Sequence, residues 1–255
     1  MSGRVVIRLE SRPVYKRDAF AAGFEKIGYI VDLSPRPKRI TKEDVLVIWN
    51  RNPPQELMAK QFEDAGATVI VAENGYIGLD KNGDKLVALS KGHHNGLGEW
   101  NTKDYPARPL ELKPWRKAGS KIVILAQRGI GERGVAQPQG WEFLMLRYFE
   151  KISKRKILIK SHPGTTKQSL EPYFQDCWAA VTWGSSAGIK ALAAGIPVFY
   201  GLKGWIGGLA GSFSKDIENP FYGEREKMFT RLSWAQWEVD QIASGEALSF
   251  LLWGK

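Results

Sequence analysis

The chain has 255 residues, 43% of them hydrophobic, and a single cysteine, Cys177. It is long enough for one or two packed domains, and the lone cysteine excludes a disulfide framework or a cysteine zinc cluster. Thirty-seven Lys and Arg against 27 Asp and Glu give a formal charge of +10, a surplus whose field draws polyanions, nucleic acid above all.

The amino terminus, MSGRVVIRLE, carries its two arginines in a run too short for a signal peptide. No apolar run approaches the ~20 residues that span a bilayer, so the chain is expected to be soluble, cytoplasmic and without a membrane partner. Residues 4–9 (RVVIRL) read as a first strand, 19–27 as an amphipathic helix and 44–48 (DVLVI) as a second strand. A second helix follows at 54–64 (PQELMAKQFED), a third strand at 67–71 (ATVIV) and a fourth at 85–88. Short apolar runs alternating with helical segments predict a parallel sheet covered on both faces. This half is Rossmann-like but lacks the GxGxxG fingerprint.

Residues 101–120 (NTKDYPARPLELKPWRKAGS) hold three prolines, mixed charge and no sustained period, which predicts a linker. The alternation then restarts. Strands are expected at 121–126 (KIVILA), 156–160 (KILIK), 178–182 (WAAVT) and 197–200, with helices at 140–152, 168–177 and 185–194. Residues 232–252 read as one long amphipathic helix or two shorter ones, with Trp234 and Trp237 three apart. The expected fold class is therefore α/β, with two Rossmann-like domains at 1–115 and 116–230 and a cleft between them. The helical segment 231–255 is expected to pack back on the N-terminal domain. Ligands in such sheets sit at the carboxyl ends of strands.

Four polar clusters follow expected strands. The first is QRGIGERG (127–134), with Gln137-Pro138 beyond it. Its glycines let backbone amides approach a ligand, and Arg128 and Arg133 offer forked donors to phosphate; the alternative is a solvated loop. The second is SHPG (161–164), where Pro163 keeps His162 out of the α region and the imidazole can donate to a phosphate oxygen. The third is the Gly184-Ser185-Ser186 turn within VTWGSSAGIKALAAGIPVFY (181–200). Ser185 suits an N-cap, and Ser186 adds a second hydroxyl at the positive end of a helix, a ready anion site. The fourth is SKGHHNGLGE (90–99). Adjacent histidines point apart and make a poor metal site, so no metal is expected. His94, ahead of His93, Glu73 and Glu99, is a candidate general base toward an acceptor hydroxyl.

SHPG followed some twenty residues later by VTWGSSAGIKALAAGIPVFY resembles the donor half of GT-B glycosyltransferases, especially capsule-type and sialyltransferase-like groups with an HP motif and a paired Ser/Thr motif. The resemblance implies that His162 contacts the donor phosphate and acts on the leaving nucleotide, while Ser185 and Ser186 bind that phosphate. Gln137-Pro138 is similar to the QP element of capsule enzymes. Through ENGYIG (73–78), GHHNGLG (92–98), QRGIG (127–131), HPG and RLSWAQWEVDQIASGEA (231–247), the whole chain resembles small bacteriophage-encoded glycosyltransferases that modify hydroxymethylated pyrimidines in DNA.

That resemblance implies transfer of a sugar from a UDP-linked or similar nucleotide-sugar, in the cytoplasm of an infected host, with no further cofactor. The donor site would be formed by Gln127, Arg128, Gly129, His162, Gly184, Ser185 and Ser186. DNA would be the acceptor. A surface polysaccharide acceptor, or a non-catalytic DNA- or nucleotide-binding protein on the same fold, are the alternatives.

Overall fold

A computed structural model describes residues 3–9, 14–34, 39–93, 97–101, 110–131, 134–162, 164, 168–213 and 216–254. The chain divides into two compact units, Met1–Tyr105 with Arg231–Lys255, and Pro106–Thr230.

The first unit opens with β1 (Arg4–Arg8), α1 (Val14–Lys26), β2 (Ile30–Asp32), β3 (Val45–Trp49), α2 (Pro53–Asp64), β4 (Thr68–Leu79) and β5 (Lys85–Lys91). Strands run in the order β5-β4-β3-β1-β2, and β1 to β4 are mutually parallel. The unbroken apolar runs of β1, β3 and the first half of β4 follow from burial on both faces, since successive side chains alternate. Val5, Val47 and Ile70 meet Phe20 and Phe24 of α1 on one face; Val6, Leu46 and Val69 meet Ala59 and Phe62 of α2 on the other. Helix α2 starts where Asn52 accepts the Gln55 amide and Pro53 occupies the first turn, a position that needs no donor.

Two expectations fail in this sheet. β5 runs antiparallel to β4, so the sheet is mixed rather than parallel. β4 also continues through ENGYIG to Leu79, with a register shift between Asn74 and Leu79. Gln236 is what satisfies the shifted backbone: its Oε1 accepts the Tyr76 and Ile77 amides at 2.9 and 3.3 Å, and its Nε2 donates to the Ile77 carbonyl at 2.6 Å.

The second unit contains β6 (Lys121–Leu125), α3 (Trp141–Ile152), β7 (Lys156–Lys160), α4 (Glu171–Phe174), β8 (Cys177–Thr182), α5 (Ser186–Ala193) and β9 (Val198–Tyr200). All four strands are parallel, in the order β7-β6-β8-β9. Ile122, Ile124 and Val181 pack on Trp141, Met145 and Phe149 of α3, while α5 packs against β8 and β9. Helix α4 is far shorter than residues 168–177. Pro172 fixes its first turn, and Asp176, at φ 52°, turns the chain into β8.

Of the expected linker, residues 102–109 lie outside the described residues, and 110–119 are a fitted part of the second unit. The Lys113 amide donates to Ala193 O and the Arg116 amide to Gly195 O. Gly195 adopts φ 76°, and a Cβ there would stand 2.0 Å from the Pro114 carbonyl. Arg225 stacks on Trp115 at 4.0 Å and donates to the Lys113 and Leu192 carbonyls.

The carboxyl-terminal region is not one helix or two. It consists of α6 (Arg225–Ser233), a short strand β10 (Gln236–Trp237), α7 (Val239–Ala243) and α8 (Glu246–Trp253). β10 pairs antiparallel with β5 and extends the first sheet. Trp237, 1% exposed, joins Phe250 of α8 in the core shared with α1. The three-residue spacing of Trp234 and Trp237 reflects a turn and an edge strand, and Gly245, at φ 85°, separates α7 from α8.

Candidate functional site

In the second sheet the chain moves from β6 to β7 on one side and then to β8 on the other. Loops leaving the carboxyl ends of β6 and β8 therefore diverge, which opens the crevice where α/β sheets hold ligands. Three of the four polar clusters from the sequence follow β6, β7 and β8 at this edge.

The loop after β6 is held by a chain of side-chain amides. Gln127 Oε1 accepts the Gly184 amide at 2.8 Å, and the Gln127 amide donates to Gln137 Oε1 at 3.0 Å. Gln137, 7% exposed, donates in turn to Glu142 of α3 at 2.7 Å. Gly129, Gly131 and Gly134 all have positive φ, and a Cβ on Gly129 would stand 3.2 Å from the Gln137 carbonyl. Arg128 is exposed beside them; Arg133 lies outside the described residues.

The loop after β8 is equally determined. Thr182, fully buried, accepts the Ser185 amide on Oγ1 at 3.0 Å. Ser185, extended at φ −72° and ψ 149°, caps α5 by accepting the Ala187 amide at 3.1 Å. Gly184 is there for space, since an added Cβ would meet Leu202 Cδ2 at 2.8 Å. Trp183 packs edge-on against Trp141 and donates to the Val135 carbonyl at 2.8 Å. The amides of Gly184, Ser185, Ala187 and Gly188 thus go to acceptors within the protein. What the start of α5 offers outward is the exposed Ser186, whose amide has no acceptor among the described residues, and the two serine hydroxyls.

After β7, exposed His162 accepts the Gly164 amide on Nδ1 at 3.0 Å. The imidazole proton is thereby assigned to Nε2, which becomes a donor.

The first-unit candidates are not brought together. Because β5 is antiparallel, its exit lies level with the start of β4: the Gly92 amide donates to the Val69 carbonyl at 2.9 Å. His93 therefore follows the amino edge of the parallel strands. Glu73 pairs with Ala88, three positions from Lys91 and just beyond the carboxyl end of β3, about 10 Å along the strand. Its carboxylate accepts the Tyr76 hydroxyl at 2.7 Å. Within GHHNGLG, Gly92 has φ 84°, and a Cβ on Gly98 would overlap Ser90 Oγ and the Lys91 and His93 carbonyls. Glu99 is exposed and bridges Lys91. His94 lies outside the described residues.

Gln137 and Thr182 complete the second-unit site, yet neither stands among the expected donor residues. Thr182 closes a buried strand one residue short of Gly-Ser-Ser, and Gln137 stands in the QP pair, so each had a signal. A surface cavity of about 460 Å³ lined by Ser120, Arg155 and Glu218 lies at the opposite, amino edge of the second sheet. The Arg155–Glu218 ion pair occupies its wall. Among the described residues no three His, Cys, Asp or Glu side chains gather as a metal site.

No family model and no curated protein sequence matches the chain. In fold it is similar to the Thermosulfurimonas dismutans KpsC β-Kdo 2,7 transferase, with a TM-score of 0.56 and 12% identity over 91% of this chain and 90% of that one. It is also similar to the β-Kdo 2,4 transferase of the same organism's KpsC, with a TM-score of 0.54 and 12% identity over 91% of each. The fold is thus shared along nearly the whole chain. It is the α/β class expected from the sequence, built as two Rossmann-like units.

Proposed function

We propose that the chain is a nucleotide-sugar-dependent glycosyltransferase whose second unit seats the donor diphosphate. One observation carries this reading: the loops bearing Gln127 and Arg128, His162, and Gly184 to Ser186 all leave the carboxyl edge of one parallel sheet around its switch point. The fold similarity to two transferases supports it.

In this reading the bond between the sugar's anomeric carbon and the diphosphate oxygen breaks, and its electron pair leaves with the phosphate. Negative charge grows on that oxygen. The Ser186 amide, the serine hydroxyls, the His162 Nε2 proton and the Arg128 guanidinium are the donors that stabilise it. The acceptor hydroxyl bonds the anomeric carbon and gives its proton to a base of the first unit. Glu73 is the better placed of the described candidates, because it lies beside the carboxyl end of β3, where α/β sheets bind ligands; His93 and Glu99 are the other described ones, and His94, the first choice from the sequence, lies outside the described residues.

For the acceptor, the +10 charge and the resemblance to phage enzymes support a 5-hydroxymethylpyrimidine in DNA, flipped from the stack, with a UDP-sugar as donor. A saccharide acceptor is the second reading, favoured by the Kdo transferases among the fold neighbours. Among the described residues no helix is long and apolar enough to cross a membrane.

The test is to incubate the protein with UDP-, GDP- and CMP-linked sugars and DNA containing 5-hydroxymethylcytosine or 5-hydroxymethyluracil, then weigh the digested nucleosides. A gain of one sugar mass on the modified nucleoside is expected. Nucleotide release without DNA modification would move the acceptor to a saccharide, and tight DNA binding with no turnover would leave a binding protein.

A further inference from the structure

Lys160 ends β7, next to Ser161 and His162, and is only 5% exposed. Stripping an ammonium of water costs several kcal/mol unless charge or hydrogen bonds compensate. Among the described residues no carboxylate pairs with it. Its Nζ instead donates to the Ser161 carbonyl at 2.8 Å and to Gln168 Oε1 at 2.6 Å, and lies 5.4 Å from the Tyr173 ring centre. These acceptors sit on either side of His162 in the chain. The Lys160 backbone carbonyl accepts the amide of Ala126, the residue before Gln127.

If this strand end needed only a buried side chain, methionine would fill the volume without the desolvation cost. The ammonium does something methionine cannot: it hydrogen-bonds Ser161 and Gln168, which flank His162 in the chain, while its own backbone is fastened to the loop after β6.

We infer that Lys160 is a positioning residue, an ammonium tether through Ser161 and Gln168 that aims the Nε2 proton of His162 at the donor phosphate. The inference rests on the glycosyltransferase reading for its consequence in turnover, but not for its geometry. Gln168 is exposed, so it can be changed with little effect on folding. Gln168→Ala removes one anchor, Gln168→Glu keeps an acceptor at the same place, and Lys160→Met removes both anchors.

The experiment measures two things on these variants: the His162 tautomer by long-range nitrogen-15 NMR, assigned with His162→Ala, and steady-state kcat and donor KM. In the unaltered chain the Nε2–H form is expected. Gln168→Ala and Lys160→Met should each mix the tautomers and lower kcat about 10-fold, within the range known for small misplacements, with donor KM changed less than about threefold. Their combined effect should fall short of the product of the two, and Gln168→Glu should restore both readouts.

An unchanged tautomer and kcat in Gln168→Ala would overturn the tether. So would losses in Lys160→Met that track only the unfolded fraction. Should no nucleotide-sugar be turned over, the glycosyltransferase reading fails, and the tautomer still decides whether Lys160 positions His162.

Discussion

Gln127 Oε1 accepts the Gly184 amide at 2.8 Å, fastening the loop after β6 to the loop after β8 across the switch point of the second sheet. The bond also withdraws the Gly184 amide from any ligand. Gln127→Leu leaves that buried amide without an acceptor, at a cost of about 1–3 kcal/mol. Urea unfolding should show a lowered midpoint, and nucleotide affinity should fall because the two loops no longer hold their spacing.

The two serines separate a cap from a ligand site. Ser185→Ala loses the bond to the Ala187 amide and should destabilise the protein by about 1 kcal/mol. Ser186 is exposed and caps nothing, so Ser186→Ala should leave the urea midpoint unchanged while weakening nucleotide binding about 3- to 10-fold, the worth of a modest hydrogen bond. Calorimetric titration of both variants checks this.

His162→Ala removes an exposed ring and one bond from the Gly164 amide. We expect kcat to fall on the order of 100-fold, the scale for one donor to a developing oxyanion, with an unchanged melting temperature. Turnover kinetics at saturating donor measure it.

Much of this was legible in the sequence because the informative signals were local. KIVILA announces a buried strand and KILIK a half-buried one, and Gly-Ser-Ser after WAAVT announces a strand, a turn and a capped helix. What stayed hidden depends on partners far away in the chain. Nothing near Glu73 says that β4 runs on through ENGYIG, since the side chain that satisfies its shifted backbone is Gln236, 160 residues beyond Tyr76. The antiparallel course of β5, which sends His93 to the opposite edge from Glu73, is likewise invisible in a short apolar run. Residues 110–119 lack any period yet are fixed by backbone bonds to Ala193 and Gly195, which no local pattern encodes. Lys160 reads from sequence as an ordinary strand-end cation; only its burial reveals a tether.

In the first unit, Arg51 is 2% exposed and holds Glu56 at 2.6 Å and Glu63 at 2.9 Å. Burial pushes the Glu56 carboxyl up, but the Arg51 hydrogen bond and charge outweigh it and hold its pKa below the ordinary value. A carboxyl depressed in the folded state stabilises fully above its unfolded pKa, about 4.3, and loses that stabilisation as pH falls through the lower folded value. Glu56→Gln should therefore cost about 1–2 kcal/mol at neutral pH. The difference from the unaltered chain should persist down to about pH 5 and shrink below about pH 4, as read from urea midpoints across pH.

The most direct test of the donor seat is titration of the nitrogen-15-labelled protein with UDP, followed amide by amide. We expect the largest shifts at Gln127, Arg128, His162, Ser185 and Ser186, weakened by Ser186→Ala. Shifts confined to other surfaces, or none with UDP, GDP or CMP, would contradict a nucleotide-diphosphate seat at the carboxyl edge of the second sheet.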